Sequence, residues 1–390
     1  MKTLTKWASL AALLAAFLVA LGCASSSSNP AGSAGSGTMS LALTDDAIDD
    51  LNITQVWLTI ARVSVHRETG RGNGDWIDVL PNATVTGPVT VDVLQLRNGV
   101  TRDLGLNSLP AGHYTQVRLR LGNLPEGGTG NPHPLPNYVV ASGIPRELVL
   151  PSGAIKLNHT FTINAGANYD LTLDFDVASS VHCAGGDNHA KYVLRPTIGL
   201  IETDDPLGTL GGQVSVTGVG CPSPQGMTVM AEVQDDPADP SSLRVVRKAV
   251  VERVDDTTGR YTLPFLPPGT YTLVAYKDDP SSHQVVLAVE PGVVVAAGEQ
   301  GHDLAPACYP RTPLSGTVAL PSVPDRPDET VPLVTVYAAG GDGLNFILTV
   351  TGAPYDKTDY SYSFSVGVPG ADAGLSFEAS PDMGTLTLSE

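Results

Sequence analysis

Polar and apolar residues alternate along most of the chain from Met39 onward. The stretches TMSLALTDD, ITQVWLTIARVSVHR, HYTQVRLRLG and NYDLTLDFDVASSV all show this period of two. Such a period places apolar side chains on one face of a β-strand and polar side chains on the other. Each stretch ends at Gly, Pro or Asn, and no segment has the period of an amphipathic helix. The pattern predicts an all-β protein with many turns.

Three successive series of strands predict three domains in tandem. The polar, turn-rich segment TDDPLG at 203–208 separates the first series from the second, and a third series begins at PLSGTVALP. We therefore expect tandem β-sandwich domains over residues 39–203 and 207–311, with a third, sandwich-like domain over 312–390.

Two of these domains contain nearly the same phrase, SLPAGHYTQVRL at 108–119 and FLPPGTYTLVAY at 265–276. In both, Pro and Gly predict a tight turn, and the Tyr and Thr that follow are strand formers. The Tyr ring can be buried while its hydroxyl reaches back to the loop backbone. We interpret the phrase as a shared turn and strand rather than as a shared binding site.

The start of the chain has the composition of a targeting segment. Two lysines precede an apolar stretch of about 14 residues, shorter than the ~20 that a membrane-spanning helix needs. This stretch ends in Leu21-Gly22-Cys23, which resembles the lipobox of bacterial lipoproteins. The resemblance implies a signal peptide over 1–22, acylation of Cys23 and an anchor in the outer membrane, with 23–38 as a flexible Gly/Ser-rich tether. The alternative is a plain secretory peptide with an incidental cysteine.

Composition and charge narrow the functional classes. The 390 residues include 41 Gly and 31 Pro, 42% are hydrophobic, and the formal net charge is −18. So many helix breakers exclude long helices, and so high an apolar fraction excludes general disorder. A surface this acidic repels phosphate backbones, so we expect no nucleic-acid partner.

Two groups of motifs resemble known domain families. Residues 39–203 resemble the bacterial lipoprotein domain of unknown function 4382. The motifs that carry this resemblance are LALTDDA, VDVLQLRNG, SLPAGHYTQVRLRL, LPSGAIKL, LTLDFDVASSV and YVLRPTI. Residues 207–306 resemble the carboxypeptidase regulatory-like domain, a transthyretin-like sandwich. The motifs that carry this resemblance are LGGQVSVTG, GRYTLPFLPPGTYTLVAY and GVVVAAGEQGHDL. The first resemblance implies no activity, and the second is to an accessory domain rather than a catalytic one.

Acidic residues on two predicted strands are candidates for a cation site. In LTLDFDV, alternation places the apolar residues on the core face and Asp174 and Asp176 on the opposite face. Asp45, in LTDDA, would lie near them if the two strands pair, and carboxylate oxygens are suited to Ca²⁺. We otherwise expect no cofactor. The alternative is a solvated polar face without a metal.

One predicted loop, HCAGGDNH, contains residue types that hold zinc or copper: His182, Cys183, Asp187 and His189. Their spacing matches no known metal site, so a plain polar loop is the alternative.

The remaining cysteines, Cys221 and Cys308, bracket the second predicted domain. The first and last strands of a sandwich can lie close together, and an exported protein meets oxidising conditions. We predict a Cys221–Cys308 disulfide, which leaves Cys183 outside it.

The sequence contains no nucleophile elbow, P-loop or dinucleotide fingerprint. We therefore expect a non-enzymatic, lipid-anchored envelope protein that binds or scaffolds an envelope protein or a glycan. Two alternatives stay open. One is a carbohydrate-binding accessory protein, which should expose an aromatic platform; Trp57 and Trp76 are the tryptophans after the leader, and Trp57 lies on an apolar strand. The other is an envelope enzyme with an unfamiliar site.

Overall fold

The structure is a computed structural model. It describes residues 35–46, 53–69, 74–82, 85–122, 135–184, 191–202, 206–218, 220–236, 239, 242–322, 331–341, 343–356 and 360–389. The predicted signal peptide, Cys23, Asp187 and His189 lie outside the described residues.

The all-β class predicted from the alternation is confirmed. The described residues form 28 strands in five sheets, together with three helical turns: Val93–Leu96, Val177–Ser180 and Ala371–Ala373. In this part of the chain no helix is long and apolar enough to cross a membrane.

The first domain is a sandwich of a four-stranded and a nine-stranded sheet. The smaller sheet contains β1 (Ser36–Asp46), β5 (Arg102–Pro110), β10 (Asn168–Asp176) and β13 (Ile198–Glu202), in the spatial order β13-β10-β1-β5. The larger sheet contains β2 (Ile53–Arg67), β3 (Asp75–Leu80), β4 (Val89–Asp92), β6 (Gly112–Leu121), β7 (Tyr138–Ala141), β8 (Ile144–Val149), β9 (Ile155–Ile163), β11 (Val181–Ala184) and β12 (Lys191–Leu194). Its order is β11-β12-β8-β7-β2-β6-β9, and β3 and β4 also pair with β2.

The core of the first domain is built from alternate residues of strands in both sheets. Leu43 of β1 and Leu173 of β10 form one buried cluster with Val65 of β2 and Val117 of β6, and all four are fully buried. Burying such a side chain contributes roughly 1.5–3 kcal/mol, so this alternation fixes which face of each strand points inward.

The second domain packs a four-stranded sheet against an eight-stranded sheet. The smaller sheet contains β14 (Gly208–Ser215), β17 (Glu252–Arg253), β18 (Thr258–Leu266) and β21 (Gly298–Gly301), in the order β17-β18-β14-β21. The larger contains β15 (Thr228–Gln234), β16 (Leu243–Val250), β19 (Gly269–Asp279), β20 (Gln284–Val295), β22 (Ala307–Ala319), β25 (Tyr355–Asp356), β26 (Ser361–Pro369) and β28 (Thr385–Leu388). Its order is β16-β15-β19-β20-β22-β26-β25, and β28 also pairs with β22.

The third segment differs from the sandwich-like domain expected over 312–390. Strand β22 pairs with β20 at its start and with β26 and β28 further on, so the expected boundary after Arg311 lies inside one strand. A last sheet contains β23 (Leu333–Gly340), β24 (Asn345–Gly352) and β27 (Leu375–Pro381), in the order β24-β23-β27. It packs on the other face of the eight-stranded sheet, where Met230 and Val274 share a buried cluster with Val336 and Leu348.

The eight-stranded sheet is therefore covered on both faces, and its sequence explains why. In MTVMAEV of β15, Val229 and Ala231 belong to the core shared with the four-stranded sheet, while Met230 belongs to the core shared with the three-stranded sheet. A strand buried on both faces has a nearly continuous apolar run instead of an alternation.

The interpretation of the repeated phrase is confirmed. The Tyr114 hydroxyl donates to the Pro110 carbonyl at 2.8 Å, and the Tyr271 hydroxyl donates to the Pro267 carbonyl at 2.5 Å. Both rings are buried. Each phrase is thus the same turn and strand, used once in each domain.

Candidate functional site

The part of the polar face of β10 around Asp174 is covered by the second domain rather than by water, and Asp174 is only 5% exposed. Asp170, nearer the start of the strand, is exposed. Arg247 of β16 donates to Asp174 Oδ2 at 2.6 Å, and the Nζ of Lys248 lies 2.8 Å from Asp176 Oδ1. Lys248 also donates to the Ser179 hydroxyl at 2.9 Å. Two carboxylates of the first domain are thus each paired with a basic side chain of the second.

Burial and charge oppose each other at this interface. Burial raises the pKa of the Asp174 carboxyl above its ordinary value, the Arg247 guanidinium opposes the rise, and the nearby Asp176 carboxylate adds to it. Loss of either Asp174 or Arg247 would leave the other charge buried without a partner, which is costly. The pair therefore favours the joined arrangement of the two domains.

Asp45 does not join these carboxylates, which corrects the expected calcium site. Strands β1 and β10 are parallel, with Asp45 beside Phe175, so Asp45 points to the opposite face of the sheet from Asp174 and Asp176. Asp45 is buried there, and its Oδ1 accepts a hydrogen bond from the Val177 backbone N–H at 3.3 Å. The sheet thus separates the three predicted ligands, and Asp174 and Asp176 lie against basic side chains instead.

Two residues of the candidate metal loop, His182 and Cys183, lie on β11; Asp187 and His189 are outside the described residues. The Nε2 of His182 donates to the Ser179 carbonyl at 2.9 Å, and burial lowers the pKa of His182 to about 4. The imidazole is therefore neutral at pH 7. Cys183 is exposed and not part of a disulfide. Within the described ranges, no group of three or more His, Cys, Asp or Glu side chains is placed to hold a metal ion.

A second link, which the sequence did not predict, joins the first domain to the third segment. Arg195, in the motif YVLRPTI, donates to Asp382 Oδ2 at 2.6 Å and to the Val331 carbonyl. The other oxygen of Asp382 accepts from the Leu333 N–H at 2.7 Å. A charged residue directly after an apolar run was the available signal, but its partner lies 187 positions away.

Covalent and ionic contacts hold β22, the strand that the second domain shares with the third segment. The structure contains the Cys221–Cys308 disulfide, with the two Cα atoms 6.0 Å apart. Arg311 donates to both oxygens of Asp278, at 2.6 and 3.0 Å, and the Gly367 N–H donates to the same carboxylate at 2.7 Å. Such a two-pronged contact fixes geometry as well as charge.

Two cavities carry polar groups that could meet a ligand. One, of about 310 Å³, lies where the three parts meet, and Asp176 and Lys248 are among the residues that line it. The other, of about 410 Å³, lies on the three-stranded sheet and is lined in part by Tyr337, Asn345 and Glu378. Both volumes fall in the range of small-molecule sites, and their hydroxyl, amide and carboxylate groups can hydrogen-bond a polar ligand.

The two tryptophans of the folded part differ in exposure. Trp57 is half-buried and stacks on Tyr138, with ring centroids 6.2 Å apart. Trp76, on β3, is 40% exposed. Of the two, Trp76 is the more exposed.

The fold defines a protein of tandem β-sandwiches joined by buried ion pairs. Residues 36–196, which form most of the first domain, match the family described as Domain of unknown function (DUF4382). This match confirms the resemblance found for the first domain, and the description of the family assigns no activity. No curated protein matches the chain.

Several solved structures of bacterial proteins share a low similarity with the chain. A candidate carbohydrate binding protein from Bacteroides uniformis is 12% identical, with 48% of this chain and all of that chain covered and a TM-score of 0.18. A streptococcal ancillary pilin is 10% identical, with 90% and 95% covered and a TM-score of 0.17. A candidate cell adhesion protein from Bacteroides fragilis is 11% identical, with 76% and 85% covered and a TM-score of 0.20. At such TM-scores the likeness says nothing about the ligand of this chain.

Proposed function

We propose that this protein is a non-enzymatic, lipid-anchored envelope protein that binds or scaffolds other envelope components. The observation that supports the proposal most is the set of ion pairs between the three parts: Asp174–Arg247 and Asp176–Lys248, which are largely buried, and Arg195–Asp382, which is partly exposed. Charge-assisted hydrogen bonds are directional, so these ion pairs favour one relative arrangement of the parts. Surfaces held in a fixed relation suit a protein that presents binding faces to partners.

The anchor rests on the sequence alone, since the leader and Cys23 lie outside the described residues. The apolar stretch and the lipobox-like Leu21-Gly22-Cys23 support a lipoprotein, and the Gly/Ser-rich sequence from 23 to 35 supports a tether. The tether predicted over 23–38 is three residues too long, because β1 begins at Ser36. A tether of this length reaches only about 20–25 Å on average, which would keep the folded part near the outer membrane. The resemblance of 207–306 to an accessory domain supports a role without catalysis.

The anchor is tested in growing bacteria that are fed a labelled fatty acid. Wild-type protein should carry the label, and Cys23→Ser should lose both the label and retention in the membrane fraction. Cys183→Ser is the matched control and should keep both, because Cys183 belongs to the folded part. Labelling of the Cys23→Ser protein would overturn the lipoprotein assignment.

The absence of catalysis is tested separately on the purified mature protein, with glycans, esters and peptides as substrates. We expect no turnover. Turnover that disappears when a single acidic or histidine residue is replaced would make the protein an enzyme and overturn this part of the proposal.

A carbohydrate-binding accessory role is the second candidate, and the exposure of Trp76 favours it. A ring exposed on a strand of a sandwich can meet the apolar face of a sugar.

A further inference from the structure

The outward face of the larger sheet of the first domain concentrates basic side chains in an acidic protein. We call it the basic face and define it by Arg62 and His66 of β2, Trp76 of β3, Arg118 and Arg120 of β6, and Lys156 of β9. These strands are neighbours in the order β3-β2-β6-β9. The register places His66 beside Trp76, and Arg118 beside Lys156. The alternate residues Val65, Val117 and Leu119 point to the core, so the basic residues point away from it.

Trp76 is held in place although it is 40% exposed. The Arg118 guanidinium carbon lies 3.9 Å from the centroid of the Trp76 ring system, a cation–π contact. The His66 ring lies against Trp76 with centroids 4.9 Å apart, and a His66 nitrogen lies 2.8 Å from the Thr115 hydroxyl. Thr115 reaches this face because β6 has an irregularity there. The ring is therefore ordered before any ligand arrives.

Most of the charged side chains of the basic face do not form ion pairs with carboxylates of the described residues. Arg62 pairs with Asp78 at 3.2 Å, but among the described residues no ion pair involves Arg118, Arg120 or Lys156. The chain has 40 acidic residues against 22 Lys and Arg. Within the described part of the chain these three cations have no carboxylate partner, so together they attract anions.

The polar groups between these cations suit hydroxyl-bearing ligands. The Gln116 side chain donates to the Asn158 side-chain carbonyl at 2.7 Å, and the Arg118 guanidinium donates to Gln116 at 3.2 Å. The four strands lie about 4.8 Å apart, so the row from Trp76 to Asn158 spans roughly 14 Å. The face is thus a shallow, extended surface of cations, amides and one aromatic ring.

We propose that the basic face binds an anionic polysaccharide of the cell surface, with Arg118, Arg120 and Lys156 facing its acidic groups and Trp76 contacting its sugar rings. This names a ligand class for the binding role proposed above, and it rests on that role. A single polysaccharide chain can contact this face alone, whereas a wide anionic object such as a bilayer or a DNA duplex would also meet the acidic remainder of the surface. Amides and an exposed ring recognise hydroxyls and the apolar faces of sugars.

The test compares two polysaccharides that share one backbone, dextran sulfate and neutral dextran, together with polygalacturonate as a carboxylated chain. Binding to the purified mature protein is measured by calorimetry at low and at physiological salt. We expect binding of dextran sulfate and polygalacturonate that weakens as salt rises, and no binding of dextran. Phosphatidylglycerol vesicles and duplex DNA serve as competing anionic surfaces.

Variants then locate the site. Arg118→Gln/Arg120→Gln/Lys156→Gln should weaken polygalacturonate binding by about tenfold or more. Arg244→Gln/Arg253→Gln/Arg260→Gln removes three exposed arginines from the second domain, and so the same total charge, and should leave binding unchanged. Trp76→Ala should weaken binding severalfold while the preference for charged over neutral dextran persists. The melting temperature of each variant is measured to show that it is folded.

Four outcomes would overturn the proposal. These are no polysaccharide binding at low salt, equal binding of neutral dextran, full binding by the folded basic-face variant, and tighter binding of vesicles or duplex DNA than of polygalacturonate. None of them bears on the Cys23 anchor or on turnover, so the proposed function would stand or fall independently.

Discussion

Strands β10 and β6 both carry charged side chains on the face that points away from the core of the first domain. On β10 this face lies against the second domain, where Asp174 and Asp176 meet Arg247 and Lys248. On β6 no described residue provides a carboxylate partner for Arg118. Similar alternation therefore leads to a buried ionic interface in one region and to an uncovered charged surface in the other.

The alternation of polar and apolar residues predicts which face of a strand points to the core, but not what covers the other face. It identifies the strand face that avoids the apolar core, because a slip of one residue would invert every side chain. It does not say whether the polar face meets water or another part of the protein. Here the partner is the adjacent basic pair Arg247-Lys248 of β16, and the pattern of neither strand identifies the other.

The largest expected change in the free energy of unfolding comes from removing the ion pair on the covered face of β10. Arg247→Met should lower the free energy of unfolding by about 3–5 kcal/mol, because the buried Asp174 would lose the cation that donates to it. Urea denaturation at pH 7 measures the change.

A double variant and a surface control sharpen this prediction. Asp174→Leu/Arg247→Met removes both charges and should be less destabilised than Arg247→Met alone. Arg244→Gln, which breaks the exposed pair with Asp235, should change the free energy of unfolding by at most about 1 kcal/mol. Equal losses for Arg244→Gln and Arg247→Met would contradict the difference drawn between covered and uncovered charges.

A covered carboxyl without a cation partner gives the second prediction. Glu232 is 1% exposed, and its Oε2 accepts from the Ile347 N–H at 2.9 Å. Burial raises the pKa of Glu232 from 4.5 to about 8, so the folded state holds a proton that the unfolded chain releases between these values. This group therefore lowers stability as pH rises from about 4.5 to 8.

Glu232→Gln should remove that pH dependence. The variant and the wild type should have similar free energies of unfolding near pH 4, and the variant should be more stable by about 2 kcal/mol at pH 6. Urea titrations at both pH values measure the difference between the two proteins, which cancels the other titrating groups. A constant difference across this range would contradict a neutral Glu232.

Much of the fold could be predicted from local patterns. Three patterns each span only a few residues: the alternation, the turn residues and the repeated Pro-x-Gly-x-Tyr phrase. They therefore predict strands and turns without knowledge of the tertiary structure. The Cys221–Cys308 pair could be proposed because the two residues bracket a sandwich. Each of these inferences depends on short stretches of chain.

The candidate site could not be predicted in the same way. Whether Asp45 shares a face with Asp174 depends on the register of two parallel strands that lie far apart in the sequence. Arg195 hydrogen-bonds Asp382 across a separation of 187 residues. Glu232 accepts from Ile347 across a separation of 115 residues. Such contacts follow from how domains pack, and a single sequence has no local signal for that packing.

The third prediction concerns the repeated turn, which begins one strand with an uncovered face, β6, and one strand covered on both faces, β19. Tyr114→Phe and Tyr271→Phe each remove a hydroxyl that donates to a loop carbonyl. Each should lower the free energy of unfolding by about 1 kcal/mol, whichever way the strand is covered, because both contacts lie within their own turn. Thermal or urea unfolding of the two variants measures these changes. A clearly larger loss of free energy of unfolding at one site would show that the sheets packed on that strand also stabilise its turn.

The smallest effect is expected on the uncovered face. Arg118→Gln/Arg120→Gln/Lys156→Gln should change the free energy of unfolding by only about 0.5 kcal/mol, since loss of the Arg118–Trp76 contact is offset by relief of repulsion between like charges. Urea denaturation beside Arg247→Met makes the comparison direct, because all four substitutions remove a positive charge from a strand of a sandwich. A loss of several kcal/mol in the triple variant would mean that these cations support the fold as Arg247 does. A negligible loss, combined with lost polysaccharide binding, would show that their position is maintained for a ligand and not for stability.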